Sequence, residues 1–463
     1  MNSLDRQFQD LASLLASPLG VAGVLLLIAA AIGAGFSARL RWGVLVMLLL
    51  STTFSIPTFS AARLAADPTA YRPLMFPFEG IRNETRIISG AMVCILLLPA
   101  FLIPLGWRKT AVPLSVVAYL VFQLSFSFIG LVADPSLKTF LSLPLFIITF
   151  LSIGVGINKA LQSERDVYVT LWALIATFGL MVLAIAVQLA GGDPKAMFLN
   201  NNRFQGMTAN PQFFAVIAAP AILIVLYLLL DKRPSKVAKA GLGLLAAALA
   251  VFLFWTGSRT GMLMMAIGLL LFFRLRLGRL MLAGGVIAVC VLGVLQFFGD
   301  RGSDQSGRYL SMQDTRSYVW RRQWATFTEN PLLGATAAED DVAAGNGENS
   351  YLTVAASYGI VGLIPLFLML MAMAWDFSRT WRVRSVLPEY VMLIDLVIAI
   401  FAMVVAGAWF EVYLLGQFNL IVLILFIASC ISAYLRDLAA ERVTEAAMIE
   451  HAGSVMERPL VSV

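Results

Sequence analysis

The feature that most limits this chain is a long series of apolar runs. A membrane span needs about 20 mainly apolar residues. Runs of that kind place helices near residues 18–36, 40–57, 86–105, 111–132, 138–156, 167–190, 210–230, 238–256, 260–273, 279–298, 350–374, 388–409 and 413–434, about 13 in all. Backbone groups in lipid must be satisfied within their own segment, which favours helices over open sheets. Composition agrees: 60% of the 463 residues are hydrophobic and 13% are charged, against roughly 45–50% and 25% in soluble domains. The expected fold is an all-α, polytopic integral membrane protein with about 12–14 transmembrane helices. It forms one membrane domain over residues 1–463. The 260–273 run is short, so it either crosses with little tilt or re-enters. The polar N-terminus lacks the pattern of a cleavable signal, so the first apolar run reads as a retained span.

The connections set the orientation. "SARLRW", "WRKT", "INKALQSERD", "DKRPSKVAK", "RLRLGR" and "DFSRTWRVR" are short, basic and fall in every second connection. The positive-inside rule puts these in the cytoplasm and explains the net charge of +6 without nucleic acid. The alternate connections then face outward: 58–85, 132–137, 191–209, 256–260, 299–349 and 409–412. Residues 299–349 form the one long extracytoplasmic loop, and 435–463 form a cytoplasmic tail.

One arginine in the apolar region needs explaining. Between Ala240 and Phe273 the only formally charged residue is Arg259, within "FLFWTGSRTGMLMM". Charges at such depth are costly and usually mark a substrate path. The ordinary alternative is an arginine snorkelling from a helix end. The outward location and the flanking Gly257 and Gly261 favour a site. A second outward segment, "NNNRFQGMTANPQFF", carries Asn202, Arg203, Gln205 and Asn210. Such amides offer donors and acceptors to sugar hydroxyls, although a polar turn before a span has the same composition.

The long loop supplies more arginines. In "DTRSYVWRRQWATFTENPLLG", Trp320, Trp324 and Phe327 recur at helical spacing. This predicts an amphipathic helix at the outer membrane boundary, anchored by its tryptophans and carrying Arg316, Arg321 and Arg322. Guanidinium groups grip phosphates bidentately and keep their charge in apolar surroundings. Glu339, Asp340, Asp341 and Glu348 are the nearest carboxylates, with Glu411 a lesser candidate. Asp395, inside a late span, reads as a structural partner for a basic residue. Cys94, Cys290 and Cys430 lie in apolar runs and read as core residues. The sole histidine, His451, is in the tail, so neither a metal site nor a cofactor is expected.

The order of these motifs resembles the O-antigen ligase and O-antigen polymerase superfamily. The resemblance rests on "NNRFQGMTANP", "GSRTG", "TRSYVWRRQWATFTENPLLG" and "ENSYLTVAASYGIVGL". It implies a GT-C-like glycosyltransferase in the bacterial inner membrane, with its active site facing the periplasm. Such an enzyme takes a glycan from undecaprenyl diphosphate, inverts the anomeric centre and uses no metal. By motif, the donor diphosphate falls to Arg203, Arg259 and Arg316, with Arg321, Arg322, Asn202, Gln205, Asn210, Asn349 and Tyr351 as further binding candidates. Ligases of the family carry a histidine where this chain has Glu348. That departure shifts the expectation from ligation towards polymerisation of repeat units, with Glu348 as base. The implied partners are a lipid-linked glycan donor, a glycan acceptor, membrane lipid, and a chain-length regulator or export complex.

Overall fold

The computed structural model describes residues 38–54, 72–83, 112–133, 150–199, 203–208, 210–274, 316–335, 349–415 and 419–456, with a few single positions between. The spans expected over 18–36, 86–105 and 279–298, apart from single positions, and part of 138–156 lie outside the described residues. So do Asn202, Glu348, Glu339, Asp340 and Asp341. Among the described residues, seven helices are long and apolar enough to cross a membrane.

The helices are α1 (Ala38–Ser51), α2 (Leu114–Ala133), α3 (Gly156–Ala160), α4 (Glu164–Gly191), α5 (Pro211–Leu230), α6 (Lys236–Trp255) and α7 (Arg259–Phe273). They continue as α8 (Ser317–Glu329), α9 (Ser350–Arg382), α10 (Val391–Ala408) and α11 (Leu420–Met456). A two-residue hairpin pairs β1 (Phe198–Leu199) with β2 (Arg203–Phe204), Leu199 opposite Arg203. The fold is all-α, as the apolar runs require.

Helix starts are set by the residues expected to set them. Asn210, Ser258 and Asn349 cap α5, α7 and α9, each side chain accepting backbone N–H groups of the first turn. Pro211 occupies the first position of α5, where its missing N–H costs nothing. Some helices outrun their apolar stretch. α9 extends past the expected residue 374 to Arg382, and α11 runs unbroken from the membrane into the tail.

α7 lies between α5 and α10 in the centre of the bundle. Small residues permit the close approach: a side chain at Gly261 would meet Ala215 Cβ at 2.6 Å, and one at Gly268 would meet Leu223 and Met403. With 15 residues, α7 is about 22 Å long, short of a full crossing. Around the head of this helix the aromatic rings of Phe204, Phe214, Phe252 and Trp255 pack edge-to-face and stacked, joining the hairpin to α5 and α6.

The long loop's helix, α8, packs on α9. Its inward face is polar, with Gln323 and Thr326 buried, while Tyr318 and Trp324 are exposed. Trp320 rests near Phe410, 6.2 Å between centroids, and Trp324 lies against Phe327. The "NPLLG" stretch after α8 then docks on the "YGIVG" stretch of α9. Ala335 N donates to Ala356 O at 2.9 Å and Ile360 N to Pro331 O at 2.8 Å. This joint demands two glycines. Gly334 (φ +72°) and Gly359 (φ +59°) are left-handed, and a Cβ on either would fall 2.4 Å from the other segment's backbone. Gly359 breaks the helical path of α9, and the freed backbone groups bond to the loop.

Candidate active site

Three of the expected site residues, Arg203, Arg259 and Arg316, come together around the three-residue turn 256–258 and the first residues of α7. Gly257 (φ +60°) reverses the chain between α6 and α7. Thr256 Oγ1 accepts from Ser258 N at 3.1 Å, and Ser258 Oγ accepts from Gly261 N at 3.2 Å, which fixes the turn. Arg203 reaches it from the hairpin, its Nε donating to Thr256 O at 2.8 Å. Arg316 reaches it from the start of α8, its Nη2 donating to Thr260 Oγ1 at 3.2 Å. Arg259 stands between these contact points, exposed, as the first residue of α7. Three arginines from three separate segments thus flank one turn.

Their placement runs against helix electrostatics. The N-terminus of a helix carries partial positive charge, so a cation there is disfavoured by about 0.3–1 kcal/mol. Arg259 opens α7 and Arg316 sits at the N-cap of α8 without capping it. The heads of α5 and α9 lie at the same end: Gly261 packs on Ala215, and Ser350 bonds the segment that pairs with Arg316. Helix heads and guanidinium groups together make an anion-binding arrangement.

Glu411 joins the parts. Its Oε1 accepts from Arg316 Nη2 at 2.8 Å and from Thr260 Oγ1 at 3.2 Å. The pair is largely buried, with side-chain exposures of 20% and 12%. Arg316 also lies 5.6 Å from the centre of the Phe410 ring. The carbonyl of Glu411 accepts from Ser350 Oγ at 2.6 Å, and Ser350 Oγ accepts from Tyr413 N at 3.2 Å. The Tyr413 hydroxyl is buried and donates to Val404 O.

The remaining candidates separate. Asn349 Oδ1 accepts from Tyr351 N and Leu352 N, while its Nδ2 is buried with no hydrogen-bond partner among the described residues. Gln323 Nε2 donates to Thr353 Oγ1 at 2.9 Å and leaves Oε1 similarly placed, as is Trp320 Nε1. Each such buried group costs about 1–3 kcal/mol, and these three collect where α8 meets the head of α9. Tyr351 lies tilted against Trp409, 5.5 Å between centroids, and donates to Val405 O at 2.8 Å, so its hydroxyl serves α10. Gln205 is buried beneath the hairpin, donating to Ala196 O at 3.3 Å, and Asn210 caps α5. Arg321 turns back to Ser317 Oγ at 3.3 Å, and Arg322 is exposed beside it. Asn202 and Glu348 fall outside the described residues.

Residues 244–368 match the family model described as O-antigen ligase. The match covers 125 of the 463 residues, and it supports the resemblance to the O-antigen ligase and polymerase superfamily over that segment. The ligase-family segment runs from within α6 to the middle of α9. It includes Arg259, Arg316, Asn349 and the whole glycine joint, while Arg203 and Glu411 lie beyond its ends. The seven apolar helices among the described residues are those of a multi-pass membrane protein, and the matched segment is similar to O-antigen ligase. No curated protein matches the chain.

Proposed function

We propose that this protein polymerises glycan repeat units carried on undecaprenyl diphosphate, at the outer face of the inner membrane. The observation that carries the reading is the meeting of Arg203, Arg259 and Arg316 on one turn among helix heads, an arrangement suited to a diphosphate. In the reaction an acceptor hydroxyl attacks the anomeric carbon from the face opposite the diphosphate. The new glycosidic bond forms as the bond to the diphosphate oxygen breaks, and the carrier diphosphate leaves with that electron pair. Its charge grows along the way, so fixed guanidinium groups stabilise the transition state more than the ground state. Attack from the opposite face inverts the anomeric centre, and no step calls for a metal. Glu348, which directly precedes Asn349, takes the hydroxyl proton; a carboxylate with an ordinary pKa near 4.3 is ionised at neutral pH. The Asn349 amide orients the acceptor. Arg321 and Arg322 of the loop helix face the approaching carrier lipid.

A second reading is ligation of a finished glycan to an acceptor such as lipid A core, favoured by the description of the matched family model. Deletion of the gene separates the two. Loss of a polymerase leaves single repeats on the final acceptor, whereas loss of a ligase leaves long chains on undecaprenyl diphosphate. Single lipid-linked repeats held at the cytoplasmic side would instead mark a transporter and end the transferase reading.

A further inference from the structure

Glu411 lies beyond the matched ligase segment and between two spans, yet three helix heads depend on it. Its carboxylate oxygen takes a hydrogen bond from Arg316 at the start of α8 and another from Thr260 in the first turn of α7. Its carbonyl holds Ser350, the first residue of α9. Arg316 follows Thr260 by 56 residues, so chain connectivity does little to fix the distance between them. Electrostatics opposes their approach as well. Arg259, Arg316 and two helix N-termini are all positive, and bringing them together without a counter-charge is unfavourable. One carboxylate offsets one of the two guanidinium charges and leaves net positive charge at the turn.

We infer that Glu411 is the positioning residue of the donor site, setting the spacing of Arg259 and Arg316 around the diphosphate. The inference rests on the donor-site reading given above. Glu411 touches neither donor nor acceptor. It acts through the arginine and the threonine that it holds, and the backbone bond to Ser350 carries the same registration to Asn349.

The test uses the full chain in lipid nanodiscs, with an undecaprenyl-diphosphate-linked oligosaccharide as donor. Glu411→Ala removes both the charge and the acceptor oxygen, while Glu411→Gln keeps an acceptor oxygen and loses the charge. The donor KM is expected to rise about tenfold in Glu411→Ala and about threefold in Glu411→Gln, corresponding to about 1.4 and 0.7 kcal/mol. The acceptor KM is expected to stay within about twofold. A residue that only stabilised the fold would lower the active fraction and leave the donor KM alone. If Glu411→Ala does not fold, Glu411→Gln carries the test. A donor KM that is unchanged or lowered in the folded variant overturns the inference. Arg259→Ala runs beside it: if that variant weakens donor use and the Glu411 variants do not, positioning alone fails. If none of them affects donor use, the donor-site reading fails with it.

Discussion

The two ends of α7 each carry an arginine, and the two are held in opposite ways. Arg274 sits at the C-terminal cap, where the helix dipole favours a cation. It donates to Asp395 Oδ1 at 3.3 Å and stacks 3.5 Å from the centre of the Trp381 ring. Arg384 completes the cluster on Asp395 Oδ2 at 3.2 Å. Nearby, Arg436 bonds the buried Asp376 at 2.5 Å, tying α9 to α11. Arg259, at the other end of α7, stands exposed on a helix head that disfavours it. Placement that helps the fold is explained by the fold. Placement that works against it points to a ligand of opposite charge.

Substitutions at the two ends sharpen that contrast. The largest effect on stability is expected from Asp395→Ala. It leaves two guanidinium groups largely buried without their carboxylate, at a cost of about 3–5 kcal/mol. Thermal unfolding of the purified protein measures this, and turnover per folded molecule should change little. Arg259→Ala is expected to do the reverse. It lowers turnover about 10²–10³-fold, as loss of one transition-state donor does elsewhere, and changes stability by less than about 0.5 kcal/mol. Equal losses of stability at both ends would remove the distinction.

Gly359→Ala tests the joint between them. The left-handed backbone alone costs about 1–3 kcal/mol for a residue with a Cβ, and the new carbon meets Leu332 at 2.4 Å. Loosening "NPLLG" from α9 frees α8 and with it Arg316, so activity and stability should fall together. Wild-type stability in this variant would contradict the assigned geometry.

The smallest effect belongs to an exposed pair. Arg72 donates to Asp193 at 2.9 Å and holds that carboxyl below its usual range. A depressed carboxylate contributes stability above its unfolded pKa near 3.9 and loses it as pH falls through the lower folded value. Both side chains are about two-fifths exposed, so solvent screening keeps the term below about 1 kcal/mol. Arg72→Ala should flatten this acid dependence of the unfolding temperature, and 1 M salt should do most of the same.

Much of this architecture is readable in the residues, for physical reasons that differ by element. The apolar runs at 167–190 and 210–230 become α4 and α5 within a few residues, because lipid leaves the backbone no alternative to a helix. The two glycine-containing stretches were legible as a motif, and their left-handed angles show why glycine stands there. The ends of α9 and α11 were not legible. Both helices continue past their apolar stretch, and the Asp376–Arg436 pair ties α9 to α11 near that boundary from 60 residues apart. The family motif sets Arg316 apart from Arg321 and Arg322, but the carboxylate that holds it, Glu411, stands 95 residues later. No local pattern announces a contact of that range. The bond from Arg203 to the carbonyl of Thr256 is equally silent, since a backbone acceptor leaves no mark in composition.

The central claim is that these arginines hold a diphosphate. Equilibrium binding of undecaprenyl diphosphate to the protein in nanodiscs tests it most directly, comparing wild type with Arg203→Ala and Arg259→Ala at matched unfolding temperature. The account predicts a Kd at least about tenfold weaker in each variant, a loss of about 1.4 kcal/mol or more. Equal affinity in all three proteins would contradict it.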